Sequence, residues 1–261
     1  MTEDEIRTED DLLITADVAR AIEEQELIAY LQPMVELSSG RVAAAEALVR
    51  WTMPDGTVVP AGLFVPSLER TGTVTGLDWC MAEEVCSFLE EVQGTSACVP
   101  ISLNFSLQHV DDPSFATRLF ETAKWHGVDA PMIRAEFGAA RLLEDNEQVN
   151  DLVSSIVSQG FIGTVDSFCQ GVEDIKTLAD KCVFVIKVTS ACWRPSSHEE
   201  LCALVEAARE CDLILCAEGV EEKAEADRLR EAGFPYAQGY YFARPMDMGA
   251  FREFCEQEGT I

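Results

Sequence analysis

The chain has 261 residues, of which 48% are hydrophobic, enough for one large domain or two small ones with a full core and too many for wholesale disorder. Its 47 acidic residues against 19 Lys and Arg leave a net charge of −28, a surface that repels polyanions and so argues against DNA or RNA as partners. No apolar run approaches the ~20 residues of a membrane helix, and the opening MTEDEIRTEDD lacks the basic and apolar regions of a signal peptide, so the sequence reads as cytoplasmic with no membrane segment.

Residues 1–16 are acidic with little apolar period and read as a tail or a linker from a longer protein; residues 17–261 read as the domain. ADVARAIEEQEL (16–27) has the spacing of a helix. LIAYLQPMVEL and RVAAAEALVRW read as two strands joined through Ser38-Ser39-Gly40, which makes a hairpin. Strand-like and amphipathic segments then alternate. The strands are CVPISLNF, MIRAEF, FIGTVDSF, VFVIKV, LILCAE and YAQGYYF, and the helices include Phe115–Trp125, Asn146–Gln159, His198–Glu210 and Glu222–Glu231. Such alternation predicts a parallel sheet with helices outside, and about eight strands in this length favour a closed α/β barrel over an open sheet.

The ten cysteines include no CxxC pair, and the three histidines are scattered, so a zinc site of standard spacing is not supported. Most of the cysteines sit in apolar stretches and are expected to be reduced thiols that fill the core.

Polar residues close the apolar runs at Gln32, Glu46, Asn104, Glu136, Asp166, Lys187, Glu218 and Gln238. In a parallel barrel the carboxyl ends of the strands converge on one mouth, where active sites form. Glu46, Asn104, Glu136 and Asp166 offer hard oxygen ligands, a set that suits Mg²⁺, Mn²⁺ or Ca²⁺ better than zinc. Lys187 and Arg50 are placed to meet phosphate oxygens, and the combination fits metal-assisted phosphodiester hydrolysis.

At these residues the chain resembles the EAL family of cyclic di-GMP phosphodiesterases. Glu46-Ala47-Leu48-Val49-Arg50-Trp51 is similar to its EALxRW signature, Leu31-Gln32-Pro33 to YQP, and Leu68-Glu69-Arg70-Thr71-Gly72 to LAExTG. Asn104-Phe105-Ser106 matches NxS, Ala217-Glu218-Gly219-Val220-Glu221 matches AEGVE, and Gln238-Gly239-Tyr240 with Pro245 matches QGYxxxxP. The motifs occur in family order from about Ala16 to Cys255. The resemblance implies a TIM-like (β/α)8 barrel whose first strand is antiparallel, a ligand set of Glu46, Asn104, Glu136 and Asp166 for a first Mg²⁺ or Mn²⁺, and Ca²⁺ as an inhibitory alternative. It implies catalytic roles for Lys187 and Glu218 in positioning or activating water, a substrate pocket at Gln32, Arg50 and Gln238, and a supporting role for Glu221. A homodimer and an upstream domain are compatible with it.

Three positions depart from the family pattern. DDFGxG appears as Asp166-Ser167-Phe168-Cys169-Gln170-Gly171, KxD as Lys187-Val188-Thr189, and ExTE as Glu136-Phe137-Gly138-Ala139. Ser167 and Thr189 thus replace aspartates of the second metal site, and Ala139 replaces a glutamate that steadies the loop after the strand at Asp166. Cys169 replaces a loop glycine, at a position where a positive φ is a consideration. These changes predict a domain that binds cyclic di-GMP with a divalent cation and hydrolyses it weakly or not at all to linear pGpG. A fully active phosphodiesterase and a non-catalytic protein-interaction domain are the alternatives.

Overall fold

Segments of strand and helix period alternate along the chain, and the computed structural model, which describes residues 9–144 and 146–257, folds them in that order. Helix α1 (Glu9–Glu23) leads into strands β1 (Leu27–Glu36) and β2 (Val42–Thr52), then a short β3 (Val58–Pro60). Helices α2 (Val65–Thr71) and α3 (Val74–Glu91) follow, then β4 (Ile101–Asn104), α4 (Phe115–Trp125), β5 (Ile133–Gly138), α5 (Ala139–Leu143) and α6 (Glu147–Ser158). The second half runs β6 (Ile162–Phe168), α7 (Val172–Ala179), β7 (Val185–Val188), α8 (Ser190–Trp193), α9 (His198–Glu210), β8 (Ile214–Ala217) and α10 (Lys223–Ala232). It ends with β9 (Tyr236–Gln238), β10 (Met246–Asp247) and α11 (Met248–Glu256). No described helix is long and apolar enough to cross a membrane.

The strands form one sheet in the order β10-β1-β9-β8-β7-β6-β5-β4-β2-β3, and the pairing of β1 with β2 closes it. The closed ring is a (β/α)8-type barrel of eight strands. β1 runs antiparallel to both ring neighbours, β2 and β9, while β2, β4, β5, β6, β7, β8 and β9 are parallel from neighbour to neighbour around the ring. The antiparallel start follows from the hairpin, whose turn Gly40 takes at φ 73. Local chemistry ends the helices where the sequence changes. Asn146 accepts from the amides of Gln148 and Val149 at the start of α6, and Ser197 with Glu200 forms a reciprocal cap on α9. Gly233 at φ 93 closes α10.

The main apolar core lies between barrel and helices. Inside the barrel a separate small cluster, Met34, Ala44 and Cys216 with Tyr236 against it, fills the lower part. Because strand side chains alternate, the same inward rows continue toward the mouth as Gln32, Glu46, Glu218 and Gln238. The apolar plug is therefore the floor of a polar site.

Two expected boundaries differ. Helix α1 starts at Glu9 rather than Ala16, within the stretch read as tail or linker; the first eight residues lie outside the described ones. Of YAQGYYF only Tyr236–Gln238 is a strand. At Gly239 the chain crosses the backbone of the loop after β8. A Cβ there would lie 2.1 Å from the Val220 carbonyl oxygen and 2.3 Å from its nitrogen. The crossing is fixed by Val220 N donating to the Gln238 carbonyl at 3.1 Å and Tyr241 N to the Val220 carbonyl at 3.0 Å. Gly239→Ala is accordingly expected to destabilise the fold by about 3 kcal/mol or more, lowering Tm by roughly 6–12 °C in a thermal melt. An unchanged Tm would show that the two segments can move apart freely.

Candidate active site

Each strand end of the barrel delivers one polar side chain to the mouth, and five of these side chains converge. The Lys187 ammonium from β7 is fully buried. Its Nζ lies 2.9 Å from Glu46 Oε2 (β2), 2.9 Å from Glu136 Oε2 (β5), 3.3 Å from Asp166 Oδ1 (β6) and 3.0 Å from Glu218 Oε1, just past β8. The parallel register explains the convergence, since Asn104 pairs with Glu136, Gly138 with Asp166, and Lys187 with Cys216 two residues before Glu218.

Burial of a lone ammonium would be prohibitive, and the four carboxylates reverse its effect. Burial acts to lower the Lys187 pKa, but the charges of Glu136, Glu46, Glu218 and Asp166 lift it well above its ordinary value. The carboxylates share one cation and do not fare equally. Burial, with the neighbouring negative charges, pushes Glu136 up to about 8 and Glu218 up to about 7, although Lys187 pulls both down. With all four ionised, the cluster carries three more negative charges than positive ones.

The amides border the acids. Gln238 Nε2 donates to Glu46 Oε2 at 2.8 Å and to Gln32 Oε1 at 3.1 Å, and Gln32 Nε2 donates to the Ala243 carbonyl at 3.1 Å. Asn104 Nδ2 donates to Glu46 Oε1 at 3.2 Å. Among the described residues no three acids, histidines or cysteines stand in a ready ligating array, and the Lys187 ammonium lies between the four carboxylates of the mouth. The donor set nevertheless fits a hard divalent ion. It consists of oxygens with excess negative charge, and Glu136 Oε1 is buried without any hydrogen-bond partner.

A bulge shapes the Asp166 side of the mouth. Val165 pairs with Ile186 and Phe168 with Val188, so Asp166 and Ser167 together face the single residue Lys187. Ser167 sits at φ 57, and its Oγ donates to Asp166 Oδ2 at 2.9 Å. Consecutive side chains, which would point to opposite faces of a regular strand, both reach the mouth. The left-handed residue is thus Ser167 and not Cys169, which corrects the expectation for that loop. Thr189, two residues past Lys187, is half-buried at the start of α8. Ala139 is buried at the start of α5.

Two predicted residues stand outside the cluster. Arg50 lies four residues beyond Glu46, about 13 Å along an extended strand; its Nη1 donates to the Val49 carbonyl and its guanidinium lies 5.9 Å from the Tyr30 ring centroid. Glu221 pairs with Arg194 at 3.4 Å, and Arg194 also donates to the Gly219 carbonyl at 2.9 Å, so this pair braces the loop after β8.

Sequence reasoning missed a brace on the opposite side. Asp78 of α3 lies 2.9 Å from His109 Nε2, both buried, and accepts from Ser106 N at 2.8 Å. His109 in turn stacks on Phe115 at 3.8 Å. This holds the loop after Asn104. The sequence signal is Ser106 with His109 just downstream, while Asp78 lies 28 residues before Ser106 on α3, where nothing local ties it to them. Two cavities flank the charged cluster. One of about 350 Å³ is lined by Leu48, Glu69, Asn104, Glu136, Gly138 and Asp166 among others, and one of about 330 Å³ by Gln32, Glu46, Glu218, Glu221, Gln238 and Tyr240 among others. Tyr240 is 53% exposed, with Arg244 4.2 Å over its ring.

An eight-stranded α/β barrel with an antiparallel first strand and an acid-rich mouth defines a class within which the comparisons are specific. The EAL domain family profile matches residues 15–245, and the chain belongs to the EAL domain family. It is 27% identical over 241 residues to cyclic di-GMP phosphodiesterase PA2567 of Pseudomonas aeruginosa, covering 90% of this chain and 41% of that protein. It is 23% identical over 243 residues to signaling protein YkoW of Bacillus subtilis, covering 91% and 30%. The chain thus spans less than half the length of these curated relatives. Among solved structures it resembles the PaMucR phosphodiesterase in complex with c-di-GMP, with a TM-score of 0.82 at 22% identity, covering 91% of this chain and 99% of that one. The FimX EAL domain of Pseudomonas aeruginosa bound to c-di-GMP gives 0.79 at 20%, covering 89% and 96%.

The raised carboxyls set a pH dependence. A carboxyl whose folded pKa exceeds its unfolded value holds extra protons in the native state, so stability is lost as pH rises through the interval, here from about 4.5 to about 8 for Glu136. In EDTA, Tm is expected to fall between pH 5 and pH 8. Glu136→Gln should flatten that fall, by on the order of a few kcal/mol across the window. Melts that rise with pH, or that are identical in the variant, would contradict the assignment.

Proposed function

We propose that this EAL domain binds cyclic di-GMP together with Mg²⁺ or Mn²⁺ at the barrel mouth and hydrolyses it weakly or not at all to linear pGpG. One observation carries the reading. The cage of Glu46, Glu136, Asp166 and Glu218 around Lys187 is complete, whereas Ser167 meets Asp166 with only a hydroxyl and Thr189, two residues past Lys187, carries no charge. The names of the solved relatives, two of which are complexes with c-di-GMP, support the choice of ligand.

Glu46, Asn104, Glu136 and Asp166 would hold the cation, and their uncompensated negative charge favours it. When bound, the cation supplies a Lewis acid that polarises a phosphate and stabilises charge on its oxygens. Lys187, immobile in the barrel wall, offers its charge to the same phosphate. Glu218, about 19% exposed at the edge of the mouth, would orient water and take its proton. Gln32 and Gln238 set the polar wall between the cluster and the smaller cavity, while Arg50, farther out, reaches a distal part of the ligand. Cavities on two sides of one charged centre suit a ligand with two bases joined by a charged ring.

Slow hydrolysis follows from what is missing. A hydroxyl is a neutral, weak ligand for a hard dication, so a second cation beside Asp166 would be held poorly. Such a loss acts on the transition state, where charge on the entering and leaving oxygens peaks, and lowers turnover more than affinity. A protein-interaction role without nucleotide is less well supported. Four carboxylates around one ammonium leave negative charge in excess of what holding the lysine requires, and Glu136 Oε1 is buried without a hydrogen-bond partner.

Calorimetric titration with cyclic di-GMP in Ca²⁺ or Mg²⁺ should show binding that Gln238→Ala weakens. Hydrolysis in Mn²⁺ should be roughly a thousandfold below that of a relative with both aspartates, equivalent to about 4 kcal/mol. Ser167→Asp with Thr189→Asp should raise turnover at least tenfold with little change in affinity. An unmodified protein that already cleaves as fast as the double variant would overturn the reading.

A further inference from the structure

The loop after β6 touches α8 through two cysteines. Phe168 and Val188 are the last paired residues of β6 and β7, and Thr189 N closes the ladder on the Phe168 carbonyl at 3.0 Å. Cys169 is therefore the first residue of the loop. Cys192 lies one helical turn past Thr189, with its amide on the Thr189 carbonyl at 3.0 Å, on the turn that faces this loop. Its Sγ points at the carbonyl of Gln170, the residue after Cys169, at 4.0 Å, and the Cys169 side chain is near enough to help raise the Cys192 pKa. Cys169 is exposed and Cys192 half-buried. Two other exterior thiols meet different partners, Cys182 at Ser154 (3.7 Å) and Cys202 at His198 (3.5 Å).

We propose that Cys169 and Cys192 are a modification site for hydroperoxides, closing to a reversible disulfide that fastens the loop after β6 to α8. Cys169, open to solvent, meets the oxidant. Its thiolate attacks the near oxygen of the peroxide, the O–O bond breaks, and the leaving oxygen departs as the alcohol or water, leaving Cys169 as sulfenic acid. The Cys192 sulfur, losing its proton, attacks the Cys169 sulfur; the S–S bond forms, the S–O bond breaks, and hydroxide leaves with that proton as water. In sum two thiols and one hydroperoxide give one disulfide, one alcohol and one water, a two-electron change. Burial pushes the Cys192 thiol up to about 11, with the neighbouring Cys169 sulfur adding to the rise. Cys192 thus stays protonated in the reduced protein and serves as the resolving partner.

The closed form would tether the segment beginning with Asp166 and Ser167 to the segment following Lys187 and Thr189, on one side of the mouth. The covalent step does not rest on the nucleotide reading. The test is to treat the reduced full chain with one equivalent of tert-butyl hydroperoxide, block remaining thiols, digest and map by mass spectrometry. The expected result is a peptide pair joined through Cys169 and Cys192, lighter by two hydrogens and separated again by dithiothreitol. A matching rise in Tm should appear on oxidation of the unmodified protein and be absent in Cys169→Ser and in Cys192→Ser. Recovery of both cysteines as blocked thiols, of Cys169 as sulfinic acid beside a free Cys192, or of Cys169 joined to another cysteine would overturn the proposal.

Discussion

A buried ammonium in the middle of the barrel is the constraint to which the mouth is built. Lys187 has no access to water, so its charge must be met by protein, and carboxylates from or just past four different strands meet it. That requirement ties the strand register to the electrostatics. A slip of one residue in β5 or β6 would turn Glu136 or Asp166 to the outer face and leave the cation short of partners. The lysine is also the internal competitor of any metal. It neutralises one charge of four and leaves the remainder, with an unpaired Glu136 oxygen, as the attraction that a divalent ion can answer.

The fold and the heart of the site were legible in sequence because both rest on short-range patterns. Alternating strand and helix periods gave the parallel barrel, and a polar residue closing each apolar run gave Gln32, Glu46, Asn104, Glu136, Asp166, Lys187, Glu218 and Gln238, all of which come to the mouth. What escaped was whatever depended on three-dimensional neighbours. Asp78 reads as one more acid in a −28 chain until its helix is laid against His109 and Ser106. Arg50 shares a strand face with Glu46, but alternation alone does not say how far up the strand it stands. The family pattern points to Cys169, in place of a glycine, for a positive φ, whereas the bulge places it at Ser167.

Motif residues divide between chemistry and construction. Trp51, at the end of EALVRW, never reaches the mouth. Its Nε1 donates to Glu26 at 2.9 Å, its ring meets Phe64 edge-on at 5.7 Å, and Glu26 receives the Arg20 guanidinium at 3.1 and 3.3 Å. It thereby joins α1 to β2. Gly239 likewise serves a backbone crossing, while its neighbour Gln238 bridges Gln32 and Glu46. A short motif can thus keep one residue for the mouth and the next for the scaffold that aims it.

The bulge at Asp166-Ser167 separates backbone from side chain in a way that bears on how such sites change. A serine at positive φ costs about 1 kcal/mol, and Ser167 holds that conformation here. The path of the main chain, the hard part of a ligand site to build, is intact, and only the terminal atoms of one side chain differ from a carboxylate. A change of side chain at this position is therefore a question of substitution within a standing framework, made without remodelling the loop.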